Sequence, residues 1–170
     1  MNLRETILKE HTKKNCKDIV TWVGKDKKKF NQLFNLFLND EYRVTQRAAW
    51  PLSCCAILQP SLLTGNFDKL MNNLRKPGLH NSIKRNTVRL LQYVTIPKKQ
   101  EGAVMEICFG YLESQVEAVA VKAFSLTVLG RLAKKHPDII PEIKLIIEQQ
   151  IYHQTVAFKS SAKKFLKEYN

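Results

Sequence analysis

The chain has 170 residues, enough for one domain or one short repeat array and too few for two independent cores. A hydrophobic content of 44%, 25% charged residues, six Gly and six Pro exclude a disordered or collagen-like chain. Lys and Arg number 28 against 15 Asp and Glu, and the resulting net charge of +13 points to an anionic partner.

From the N-terminus, Met1 to Lys14 lacks the apolar core of a secretory signal. The longest apolar run, Cys54 to Leu58, falls far short of the ~20 residues that span a bilayer. The expectation is a cytoplasmic protein with no membrane partner. Residues 1–24 are expected to form one or two helices capping the N-terminal end of an array, with Gly24 as the stop. Lys25, Lys27, Lys28 and Lys29 come next, just before a helix beginning near Phe30. Four cations oppose the dipole there, so the run reads as a solvated loop or as a place for a local anion. Apolar residues then recur at helical spacing through Phe30, Leu33, Phe34 and Phe37, and again through Ile140, Ile143, Ile146 and Ile147. No period-two strand appears. Breaks fall at Gln59-Pro60 with Gly65, Lys76-Pro77-Gly78, Ile96-Pro97 and His136-Pro137. They divide the remainder into helical hairpins over 25–58, 66–95, 98–135 and 138–168, within a single domain over 1–170.

The second helix of each hairpin repeats one pattern. VTQRAAWPLSCC from Val44, IKRNTVRLLQYV from Ile83, VKAFSLTVLGRL from Val121 and FKSSAKKFLKEY from Phe158 start 39, 38 and 37 residues apart. Each opens on a large apolar residue, has a small one four later (Ala48, Thr87, Ser125, Ala162) and Leu four later again (Leu52, Leu91, Leu129, Leu166). Positions 0, 4 and 8 share one helix face, and the small middle residue lets a neighbouring helix approach closely. A single hairpin cannot bury its apolar faces alone, so neighbours should stack into a continuous core.

In this pattern the chain resembles the HEAT repeats, within the broader armadillo-type helical solenoids. The segment IPEIKLIIEQQIYHQTVAFKSSAKKFLKEY from Ile140 carries the resemblance most clearly. Ile83-Lys84, Val121-Lys122 and Phe158-Lys159 match the family's Val-Arg position, whereas Val44-Thr45 departs from it. The resemblance implies an all-α, right-handed α-α superhelix of about four hairpins, with the second helices lining a concave surface. It specifies the fold more closely than the function.

The net charge is unevenly distributed over these elements. Second helices taken as 43–57, 79–95, 117–135 and 154–168 carry 13 basic residues against Glu117 and Glu168, while the first helices are nearly neutral. With the concave placement that the resemblance implies, a basic groove follows. Position 6 reads Trp50, Arg89, Thr127 and Lys164 across the four helices. Arg43, Arg47, Lys84, Arg85, Lys122, Lys134 and Lys167 complete the candidate polyanion-binding set. Guanidinium and ammonium groups around a Trp suit phosphates and stacked bases. The expected partner is an acidic macromolecule, nucleic acid or an acidic protein segment. Against this stand a solubility role for the charge, on a neutral protein-protein scaffold, and a Trp50 ring that packs between repeats next to Pro51.

Catalytic constellations are missing from the sequence. It has no Gly-rich phosphate loop, no G-x-S-x-G elbow and no paired carboxylates on one face, so the expectation is a non-catalytic binding module without a cofactor. The enzymatic alternative is the DNA-alkylation-repeat glycosylases, which are HEAT-like and use Trp and Asp residues in a basic groove. Trp22 and Asp26 have a helical spacing, but Gly24 lies between them. Cys16, Cys54, Cys55 and Cys108 form no C-x-x-C pair and read as reduced, mostly core thiols. The four His lie apart from one another and from most of these cysteines, and the one near pair, His11 with Cys16, reads as a surface helix turn, so no metal site is expected.

Overall fold

The computed structural model describes residues 1–169 and contains helices and turns, with no strand among them. Two compact units divide the chain, Met1–Thr95 and Ile96–Asn170. None of the helices is long and apolar enough to cross a membrane.

The first unit holds α1 (Leu3–Lys9), α2 (Lys13–Val23), α3 (Lys27–Asn39), α4 (Tyr42–Leu58), α5 (Phe67–Leu74) and α6 (Asn81–Leu91). Local chemistry sets their ends. Asn2, Thr12 and Asp26 cap α1, α2 and α3 by accepting from backbone N–H groups in each first turn. Gly24 closes α2 at φ +50°, a conformation that costs glycine nothing. At the centre lies α4, packed against α1, α2, α3 and α6. It buries Val44, Ala48 and Leu52, together with Ala49, Cys55 and Ala56. Pro51 is inside this helix and neither starts nor ends it. Ser53 Oγ donates to the Trp50 carbonyl at 2.8 Å, one turn from the position where proline supplies no N–H.

Polar contacts fix α4 and α6 in register. Ser82 Oγ donates to the Gln46 carbonyl at 2.9 Å, Ser53 Oγ lies 3.4 Å from Asn86 Oδ1, and Arg89 Nη1 reaches Cys54 Sγ at 4.0 Å. Partners advance together along both chains, so the two helices run parallel, as equivalent helices of successive hairpins must.

In the second unit α7 (Lys98–Glu113) packs on α8 (Val119–Ala133), and α8 on α9 (Ile140–Gln150) and α10 (Val156–Tyr169). Val121, Ser125 and Leu129 are buried, as are Ile83, Thr87 and Leu91 in α6, and Phe158 and Ala162 in α10. Leu166 is half-buried. Gly130 allows α10 to approach: a Cβ there would sit 3.3 Å from Phe165 Cδ2, and Tyr169 Oη donates to the Gly130 carbonyl at 2.6 Å. Between α7 and the end of α8, the buried Glu101 carboxylate accepts from Lys135 Nζ at 2.6 Å and His136 Nε2 at 2.8 Å. Those two bonds hold its pKa below the ordinary value.

Candidate functional site

Basic residues and one aromatic meet in the first unit where α4, α6 and the α1–α2 turn adjoin. On α4, Trp50 and Cys54 are one turn apart; on α6, Arg85 and Arg89 are likewise one turn apart. Arg89 meets Cys54, and the charge of Arg85, one turn earlier on α6, acts on His11, whose ring meets Trp50. The Trp50 ring is half-buried and meets the His11 ring edge-on, with centroids 5.6 Å apart. His11 has its pKa lowered first by burial and then by the charges of Arg47 and Arg85. One small region therefore gathers His11, Trp50 and the guanidinium groups of Arg47, Arg85 and Arg89.

Each arginine sits differently. Arg85 is exposed and Arg89 half-buried. Arg47 Nη1 donates to the Leu8 carbonyl at 2.7 Å, where α1 runs out of helical partners. A guanidinium has five N–H groups, so this bond leaves donors for a ligand. Asn15 joins Arg47 in closing α1, its Nδ2 donating to the Thr6 and Glu10 carbonyls at 2.7 Å. Arg43 is exposed near the start of α4, and Lys84 is half-buried on α6.

The second unit has its own basic cleft, of about 170 Å³ between α8 and α10, lined by Arg131, Lys134, Lys164 and Glu168 among others. Lys134 Nζ pairs with Glu168 at 2.8 Å, a contact that raises the lysine pKa. Lys164 and Lys167 are exposed.

Lys122 requires a correction. Its side chain is 3% exposed, and Nζ donates to Gln150 Oε1 at 2.7 Å. Gln150 in turn donates to the Leu112 carbonyl at 3.0 Å, so the lysine joins α8 to α9 and to the end of α7. Burial lowers its pKa, and it offers no charge to a surface ligand.

The lysine run corrects the expected loop: α3 starts at Lys27, three residues before Phe30, so Lys27, Lys28 and Lys29 form its first turn behind the Asp26 cap, and two of them are used by the fold. Lys27 Nζ donates to the Leu62 carbonyl and, at 2.8 Å, to that of Thr64. Lys29 Nζ donates to the Trp22 carbonyl at 3.0 Å and lies 5.1 Å from the Trp22 ring centroid. Asp26 accepts from the Lys28 and Lys29 backbone N–H groups, which lower its pKa. The two residues that raised the glycosylase alternative, Trp22 and Asp26, thus serve a helix end and a helix start.

Elsewhere in the first unit a cavity of about 470 Å³ lies between α3 and α5, lined largely by asparagines and by Lys69 and Lys76. Asn66 Nδ2 donates to Asn31 Oδ1 at 3.0 Å and Lys76 Nζ to the Leu38 carbonyl at 3.1 Å. Among the described residues no group of three or more His, Cys, Asp or Glu could hold a metal ion.

The sequence profile of one family, described as the HEAT repeat domain, matches residues 3–169. No curated protein and no solved structure matches the chain.

Proposed function

The chain belongs to the HEAT-repeat family, whose members are typically non-catalytic interaction scaffolds, and from that premise we propose that its first unit binds a nucleic-acid strand. The observation that carries this reading is that Arg47 and Arg85 act on His11, whose ring pairs with that of Trp50, while Arg89 sits one turn further along α6 at Cys54. Guanidinium groups are planar, weakly hydrated and permanently charged, and they take phosphate oxygens by paired N–H donation. An aromatic ring beside them adds a surface on which a base can stack. Arg43 extends the positive region along α4, and Lys84 does so along α6. In the second unit Lys164 lines the α8–α10 cleft with Lys134, which is paired to Glu168, and Lys167 is exposed on α10.

Fluorescence anisotropy with a labelled single-stranded oligonucleotide tests the reading. Arg85→Glu combined with Arg89→Glu should weaken binding by at least about tenfold, since each lost contact carries ~1 kcal/mol or more and reversed charges also repel. Trp50→Ala should weaken it less, with the loss concentrated in base-containing rather than abasic strands. Unchanged affinity in the double variant removes the proposal. Tighter binding of an acidic peptide than of any oligonucleotide transfers the same surface to a protein partner.

A further inference from the structure

Two rows of side chains line the cavity between α3 and α5. Asn31, Asn35 and Asn39 stand one turn apart along α3, and Asn66, Lys69, Asn73 and Lys76 follow one another along α5 and just beyond it. Asn66, at the start of α5, bonds to Asn31 in the first half of α3, and Lys76, past the end of α5, donates to the Leu38 carbonyl near the end of α3. The two helices therefore run parallel, and the rows flank one groove. A second cleft of about 220 Å³ shares Leu38, Asn73 and Lys76 with the first and leads on toward Tyr42 and His80. Where the clefts meet, Asn73 is 3% exposed and its Nδ2 has no hydrogen-bond partner. A buried amide donor is seldom left unpaired, and an acceptor seated at that point would complete it.

We propose that this groove binds an extended, acidic peptide segment of a partner protein, the asparagine amides holding its backbone and Lys69 and Lys76 its carboxylates. The amides are already polarised toward such a ligand. Asn39 Nδ2 donates to Asn35 Oδ1 at 2.8 Å, and Asn66 Nδ2 to Asn31 Oδ1 at 3.0 Å. Each pair thus keeps an N–H at one end, on Asn35 or Asn31, and a carbonyl oxygen at the other, on Asn39 or Asn66. A peptide unit presents the complementary N–H and C=O. A phosphodiester backbone presents acceptors alone and would leave those two carboxamide oxygens unmatched.

Spacing agrees with an extended chain. Residues four apart on a helix rise by about 6 Å, and a strand repeats every two residues over roughly 6.6 Å, so successive asparagines of α3 meet successive like-facing peptide units. From Asn31 to Asn39 the row covers about 12 Å, room for about four extended residues. Charge then selects among peptides. Among the described residues that line the first cleft, Lys69 and Lys76 alone are charged, and both are exposed. Lys76 Nζ commits one of its three N–H groups to the Leu38 carbonyl and keeps two. Asp40, which lines the second cleft, has its charge matched by Arg4, with Nε 3.1 Å from Oδ2. The groove uses none of the arginines of α4 and α6, so peptide and nucleic acid would occupy separate surfaces.

Fluorescence anisotropy of the full native chain with a labelled eight-residue peptide of alternating Asp and Ala, at physiological salt, provides the test. Methylating the amide nitrogens of the Ala residues removes backbone donors while keeping the charge, and should weaken binding at least about tenfold. Asn35→Ala combined with Asn39→Ala should weaken the unmodified peptide at least about fivefold. Arg85→Glu with Arg89→Glu should leave its affinity within about twofold, because charges beyond a Debye length are screened. Both asparagines are exposed and alanine is the better helix former, so that variant keeps the fold. In the isotope-labelled native chain, the Asn73 side-chain amide signal should move on saturation with peptide. No measurable binding, equal affinity for the two peptides, an unmoved Asn73 signal or an Asn35/Asn39 variant that binds like the native chain overturns the proposal. So does a loss confined to the arginine variant, which would place the peptide on α4 and α6.

Discussion

At the scale of single residues, the side chains of highest charge divide between holding the fold and facing solvent. Lys122 ends on Gln150, 28 residues away, and Lys27 on the Leu62 and Thr64 carbonyls beyond the next helix. Nothing in the local sequence separates these lysines from Lys164 or Lys167, because the deciding partner belongs to another element. His11, read from sequence only as part of a surface helix turn near Cys16, is a case of the same kind: it meets Trp50 and feels Arg47 and Arg85 across the unit. Its pKa is lowered in the folded chain, so below the ordinary value of 6.5 the unfolded chain takes up more protons. The His11 contribution to stability is therefore lost as pH falls through that window. By NMR, the His11 ring should titrate below 6.5 in the native chain, and the midpoint should rise in Arg85→Gln. A midpoint unmoved by Arg85→Gln would show that Arg85 does not act on this ring.

At the scale of helices, the interior was legible and the surface much less so. The large–small–Leu stripe at positions 0, 4 and 8 corresponds to buried side chains in α4, α6 and α8, because steric fit against neighbouring helices is written in residue size at helical spacing. In α10 the stripe loosens at its last position, where Leu166 is half-buried. Gly130 escaped notice because a glycine within a helical pattern carries no signal of what approaches it. Phe165 is that neighbour, and a larger residue at 130 must displace its ring. Gly130→Val should destabilise the chain by about 1–3 kcal/mol, the usual range for overpacking, as read from urea unfolding. A substitution without cost would mean that Phe165 has room to move and that the close approach of α10 to α8 is not required.

At the scale of the whole molecule, the net charge of +13 resolves into an asymmetry between two kinds of helix. With the observed boundaries, α4, α6, α8 and α10 together carry 11 basic residues and one acid, Glu168, whereas α3, α5, α7 and α9 are close to neutral. The expected repeat architecture is the part of the sequence reading that family membership supports directly. Charge placement was legible as far as the helix, since counting needs only element boundaries. Which charges converge depended on the register of α4 against α6, set by Ser82, Ser53 and Arg89 contacts that no periodicity encodes.

Ionic strength acts on that convergence directly. Three guanidinium groups engaging phosphates release condensed counterions, and for a single strand each contributes a slope of about −0.7 in log affinity against log salt. Anisotropy titrations of the full chain with one oligonucleotide across a salt series should give a slope near −2, falling toward −1 or less in Arg85→Glu with Arg89→Glu. A native slope near zero, or one that the double variant leaves unchanged, would contradict nucleic-acid binding through the Arg47, Arg85 and Arg89 surface.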